Sequence, residues 1–211
     1  MKERKQLFIG YYNKSVILTY IGIILSICGI LNVLGGNDAE SVNRVTISMI
    51  FLILAGICDL FDGVIARRCN RTEQEKAFGI QIDSLADIVS FVLFPVIILA
   101  KTAHGHVLLV LTCILYILAG IIRLAYFNIT TEENKGFFKG LPVTFSSMII
   151  PIIYVITLII NKSNIASLMI IVYLIIAFAF VANFKLKKPS GVMYIVFSVL
   201  AVITIVGLLL F

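Results

Sequence analysis

Seven apolar windows, each long enough to cross a bilayer, fill this chain almost from end to end. They lie near 15–35, 45–66, 78–100, 107–129, 140–160, 165–184 and 191–211. A spanning helix needs roughly 20 apolar residues, and only helices and closed barrels satisfy every backbone N–H and C=O inside hydrocarbon. With 61% hydrophobic and 13% charged residues in a length of 211, nothing is left over for a separate soluble domain. The windows predict an all-α, polytopic integral membrane bundle of about seven transmembrane helices, one domain over 1–211. The longest connections, "GGNDAESVNR", "RRCNRTEQEK" and "TTEENKGFFK", are short, so consecutive helices are expected to be antiparallel neighbours. The first window follows "MKERKQ" like a signal peptide but carries no small-residue cleavage site, and reads as a retained helix.

The net charge of +6 reports topology. With a cytoplasmic amino terminus, twelve Lys and Arg fall in that terminus and in the loops near 67–77, 130–139 and 185–190, against three (Arg44, Lys101, Lys162) on the other side. That is the positive-inside pattern, with affinity for anionic lipid and no implied nucleic acid. Cys28, Cys58, Cys69 and Cys113 show no paired spacing, and His104 and His106 have no acidic or cysteine neighbour, so neither set predicts a disulfide or a metal site.

Four acidic residues do not belong in such helices. Asp59 and Asp62 close the second window, and Asp83 and Asp87 open the third. At 1.5 Å per residue, Asp62 lies about 8 Å and Asp59 about 12 Å below Arg67, while Asp83 and Asp87 lie about 10 and 16 Å from Lys76. All four therefore share a depth in one half of the bilayer. The i, i+3 and i, i+4 spacings put each pair on one helix face, and the short connection brings the faces together. Each intramembrane carboxylate costs about 2.5–3.5 kcal/mol at a helix centre, so four approach about 10 kcal/mol. One arginine cannot compensate for that; divalent ions can. All-oxygen ligation without His or Cys favours Mg2+ or Mn2+, and a bridged pair of ions suits displacement at phosphorus. A lone aspartate of this kind would equally serve as a helix-packing contact. Gly63 and Gly79 each lie four residues from an aspartate of their own helix and leave room for a ligand. Arg67, one turn past Gly63, stands where it would grip a phosphate.

Together Asp59, Asp62, Gly63, Ala66, Arg67, Gly79, Asp83 and Asp87 form D-x-x-D-G-x-x-A-R, a gap, then G-x-x-x-D-x-x-x-D. The pattern resembles the signature of the CDP-alcohol phosphotransferase family, membrane enzymes of phospholipid synthesis. Eleven residues separate Arg67 from Gly79, more than the family's usual spacing, and the excess lies in the loop. "GIQIDSLADIVSF", "AGIIRLAYFNI" and "KGLPVTFSSMIIP" resemble the phosphatidylserine synthase branch, with Val92 and Tyr126 where the branch commonly has glycine and a basic residue.

The resemblance implies a six-helix core, a homodimer, and transfer of the phosphatidyl group from CDP-diacylglycerol to L-serine at the cytoplasmic face of the plasma membrane. It implies that Asp59, Asp62, Asp83 and Asp87 bind two divalent ions, Mg2+ or Mn2+. Asp87 would also act as catalytic base, and Gly63, Ala66, Arg67 and Gly79 would line the CDP site. Arg123 and Asn128 lie at a depth to meet the carboxylate and ammonium of serine, and Lys139 to meet a phosphate; an interfacial arginine, a helix-end cap and a loop lysine are the plainer readings. The alternatives are another acceptor, such as glycerol 3-phosphate or an inositol phosphate, and an aspartate-lined ion carrier, whose polar residues should occupy both halves of the bilayer.

Overall fold

The computed structural model describes residues 9–11, 13–35, 41–130, 136–160, 164–187 and 191–210. Eight α-helices account for most of them: α1 (Ile17–Leu34), α2 (Ser41–Arg68), α3 (Glu73–Asp87), α4 (Phe94–Thr102), α5 (Leu109–Thr130), α6 (Ser146–Ile160), α7 (Ile165–Val181) and α8 (Val192–Leu210). A π-helical segment, Ile88–Leu93, joins α3 to α4, so that Glu73–Thr102 forms one 30-residue span. Six helical stretches are long and apolar enough to cross a membrane. The protein is a multi-pass membrane helical bundle.

Three element boundaries differ from the sequence expectation. The sixth window yields only the 17 residues of α7, about 26 Å at 1.5 Å per residue and short of a typical hydrocarbon core of about 30 Å. The helix stops because Ala182 turns extended, leading into strand β2 (Lys185–Lys187). That strand pairs antiparallel with β1 (Phe137–Lys139), Phe138 opposite Leu186, so the otherwise all-α chain carries a two-stranded ribbon. The ribbon ties the α5–α6 and α7–α8 connections together on one side of the bundle. The connection expected over 67–77 shrinks to residues 69–72. Thr72 caps α3 in a reciprocal box, Glu75 N donating to Thr72 Oγ1 at 3.2 Å and Thr72 N to Glu75 Oε2 at 2.8 Å. A polar stretch that reads as loop is thereby helical from Glu73.

Small residues set the helix spacing, as expected where lipid offers no hydrophobic drive between helices. A Cβ on Gly56 would overlap Ser147 of α6, and one on Gly29 would overlap the Phe94 ring. Val92 is accommodated by α5: a Cβ on Gly120 would stand 2.7 Å from Val92 Cγ2. The glycine that the resemblance places at 92 is thus exchanged for one on the facing helix. The core centres on Phe91, Phe94, Tyr116, Tyr154 and Tyr173, all essentially inaccessible, with the Tyr116 and Tyr173 rings 5.0 Å apart.

The π segment has an identifiable cause. Pro95 has no N–H to donate to the Phe91 carbonyl, as a continuing α-helix requires. Tyr116 OH and Ser146 Oγ donate to that carbonyl instead, each at 3.2 Å. Ser26 Oγ bonds Ser90 Oγ at 2.8 Å, so α1, α5 and α6 all grip the turn that follows Asp87.

Candidate active site

The last turns of α2 and α3 bring the four aspartates to one cavity of about 170 Å3, walled on its other sides by Arg123, Phe127, Phe138, Pro142 and Thr144. Asp59, Asp83 and Asp87 each offer a carboxylate oxygen within 4.8 Å of the others. Asp62 stands beside this trio, facing Asp83 and accepting from Thr19 Oγ1 of α1 at 3.3 Å. Among the described residues no salt bridge reaches any of the four. Arg123, 5% exposed, lines the cavity but spends its Nε on the Leu141 carbonyl at 3.1 Å. Three converging carboxylates with no salt bridge among the described residues can stay ionised together in this setting only with added positive charge, and an all-oxygen donor set suits a hard divalent cation.

Asp62 and Asp83 also wall a second cavity of about 110 Å3, whose floor is Gly63, Ala66 and Gly79. These are glycines of a different kind from the packing glycines. Among the described residues a Cβ on Gly63 meets no atom within 4 Å, a Cβ on Gly79 meets only Arg71 Nη1 at 3.5 Å, and neither has positive φ. Packing among the described residues does not require glycine at 63. The backbone of Arg67 ends α2 beside this cavity, while its side chain lies outside the described residues.

A third cavity of about 260 Å3 opens between α5 and α7, with Arg123, Tyr126, Lys139 and Asn183 on its walls. Arg123 is common to it and to the carboxylate cavity. Lys139 Nζ sits 3.0 Å from Tyr126 OH and over its ring, so the charge absent from position 126 arrives from the neighbouring strand. Asn128 is not brought to either wall; its Oδ1 accepts from Ser84 Oγ at 3.0 Å. An apolar cleft of about 90 Å3, walled by Leu60, Phe145, Met148 and Phe197, reaches Asp59 and Thr144 from the α2, α6 and α8 side.

Sequence reasoning missed Thr19, Arg71, Thr144 and Asn183. Thr19 and Asn183 carry no local signal, being brought in by helices remote in sequence. Thr144, two residues past "GLP", and Arg71, inside the lengthened gap, lay in segments already singled out.

A membrane helical bundle with paired aspartates on two adjacent helices, a glycine-floored cavity beside them and an apolar cleft that shares Asp59 defines a class of intramembrane acidic site with both polar and apolar walls. The family follows directly: the chain belongs to the CDP-alcohol phosphatidyltransferase family, whose model matches residues 12–210. It is similar to the archaetidylserine synthase of Methanothermobacter thermautotrophicus, 33% identical over 136 residues, covering 64% of this chain and 52% of that one. It is 30% identical to the CDP-diacylglycerol–serine O-phosphatidyltransferase of Methanocaldococcus jannaschii over 179 residues, covering 84% and 81%. Identity to the protein of that name from Saccharomyces cerevisiae is 35% over 102 residues, covering 44% and 36%. The matches thus span about half of the first of these relatives and about a third of the yeast one.

Proposed function

We propose that this chain, as a single domain, is a phosphatidyltransferase that moves the phosphatidyl group of CDP-diacylglycerol to the hydroxyl of L-serine, giving phosphatidylserine and CMP. The observation that carries the reading is that three cavities share wall residues with the carboxylate cavity: the apolar cleft through Asp59 and Thr144, the glycine-floored cavity through Asp62 and Asp83, and the third cavity through Arg123. The apolar cleft suits acyl chains, the glycine-floored cavity a cytidine diphosphate, the carboxylate cavity the reacting phosphorus, and the Arg123 cavity a small zwitterion. The names of the relatives support serine as the acceptor.

Asp59, Asp62, Asp83 and Asp87 would hold divalent cation, Mg2+ or Mn2+ and two ions in the fullest form, which supplies charge neutralisation at the phosphoryl oxygens. The rest falls to side chains. Asp87, beside the Arg123 wall, accepts the serine hydroxyl proton as the serine oxygen attacks the phosphorus attached to diacylglycerol. The new O–P bond forms as the bond from that phosphorus to the CMP oxygen breaks, and the electron pair leaves with CMP. Arg123 directs its remaining N–H groups to the serine carboxylate, and Lys139 balances charge at the mouth of the same space. Among the described residues no Ser, Cys or His lines the carboxylate cavity, where Thr144 supplies the one hydroxyl, which supports direct displacement over a covalent intermediate.

The positive-inside pattern supports a cytoplasmic amino terminus and a site on the cytoplasmic side, the plasma membrane is the proposed location, and the family resemblance supports a homodimer. Asp87→Asn tests the assignment: the variant should bind CDP in detergent while losing CMP release by at least about 100-fold. Turnover near wild type would remove Asp87 from the base role.

A further inference from the structure

Arg71 is a cation that the chemistry above leaves unused. It lies in the 69–72 connection, immediately before the Thr72 cap that fixes the start of α3. A loop cation of a positive-inside segment would extend into water. Arg71 instead runs along the wall of the glycine-floored cavity, with Nη1 3.5 Å from the point where a Gly79 Cβ would stand. Its Nε is buried and has no hydrogen-bond partner. A buried guanidinium N–H left unpaired is costly, and a ligand in the cavity would complete it. The nearby acids do not complete it. Asp62 and Asp83 line the same cavity without a salt bridge to Arg71. The Glu75 carboxylate feels the Arg71 charge but is committed to the Thr72 cap.

We propose that Arg71 binds the cytidine-side phosphate of the nucleotide donor, the phosphate that departs with CMP. The inference rests on the reading of this cavity as the CDP subsite. A diphosphate lying there has one phosphate toward the Asp62 and Asp83 end and the other toward Arg71. The guanidinium fork, with a buried Nε beside an Nη, has the geometry for two parallel N–H···O bonds to one phosphate. The longer spacing between Arg67 and Gly79 follows from the same arrangement, since the added residues let a second arginine fold back over the cavity.

The test is binding of CMP, CDP and cytidine to the full-length detergent-solubilised protein in Mn2+, by calorimetry. Loss of a bidentate charge-assisted pair predicts that Arg71→Ala weakens CMP and CDP by about 10- to 100-fold and leaves cytidine unchanged. Arg71→Lys, which keeps the charge without the fork, should fall between. Lys76→Ala, altering an exposed lysine paired with Glu73, should match wild type, and Mn2+ affinity should be unaltered in all three. Wild-type CMP affinity in Arg71→Ala overturns the proposal while leaving the CDP subsite intact. So does an equal loss of cytidine and CMP, which would mean that the loop has collapsed. A wild-type protein that binds neither CMP nor CDP overturns both.

Discussion

Gly56 and Gly63 lie two turns apart on α2, and the same substitution at each should have opposite effects. In a helix interior, replacing glycine by alanine stabilises by about 0.5–1 kcal/mol through backbone entropy alone. At Gly63 the added methyl meets no atom of the described residues within 4 Å, so Gly63→Ala should keep that gain and unfold at a higher temperature than wild type. The methyl nonetheless projects into the cavity proposed for the nucleotide. Overpacking there costs a ligand about 1–3 kcal/mol, or roughly 5- to 150-fold in affinity. At Gly56 the methyl would overlap the Ser147 side chain, which itself bonds the Thr144 carbonyl at 2.7 Å and has little freedom to yield. Gly56→Ala should therefore lose about 1–3 kcal/mol of stability less the entropy gain. Thermal unfolding in detergent, with a CDP titration in Mn2+, reads both quantities. A Gly63→Ala protein that unfolds earlier than wild type, or that binds CDP equally well, refutes the distinction between packing and ligand glycines.

The trio within 4.8 Å of one another implies a ranking among the acids: Asp59→Asn, Asp83→Asn or Asp87→Asn should weaken Mn2+ binding, measured by electron paramagnetic resonance, more than Asp62→Asn, which Thr19 holds to one side. Arg123→Ala should raise the KM for serine by about 10- to 100-fold, the worth of a charge-assisted hydrogen bond, with a much smaller effect on the KM for CDP-diacylglycerol in steady-state kinetics. Tyr116→Phe leaves the Phe91 carbonyl with Ser146 as its one side-chain donor, and should destabilise by about 1 kcal/mol in denaturant unfolding.

How far the sequence alone reaches differs from residue to residue. The aspartate spacings specify which faces of α2 and α3 meet, because helical periodicity is local and the connection is short. The resemblance finds Gly63, Ala66 and Gly79 for the same reason, all being on those two helices. The contrast between Gly56 and Gly63 is invisible in one dimension; it depends on whether α6 or open space lies opposite. Asn128 looked available to a substrate because its partner, Ser84, is 44 residues away. Arg71 looked like one more positive-inside charge because composition counts charges without saying which way they point. The π turn after Asp87 has a visible cause in Pro95, but its hydroxyl donors come from α5 and α6. The shortness of α7 is hidden because Ala182 and Phe184, on either side of Asn183, remain apolar after the backbone has turned toward the ribbon.

The central claim is that the carboxylate cavity performs phosphatidyl transfer to a small zwitterionic alcohol. Purified protein supplied with CDP-diacylglycerol, Mn2+ or Mg2+ and, in separate reactions, L-serine, glycerol 3-phosphate, inositol phosphate or no acceptor tests it by the CMP released. The account predicts release that requires both serine and the divalent ion and that yields phosphatidylserine in equal amount. Release with glycerol 3-phosphate or inositol phosphate in place of serine would contradict the acceptor, and no release with any alcohol would contradict the reaction itself.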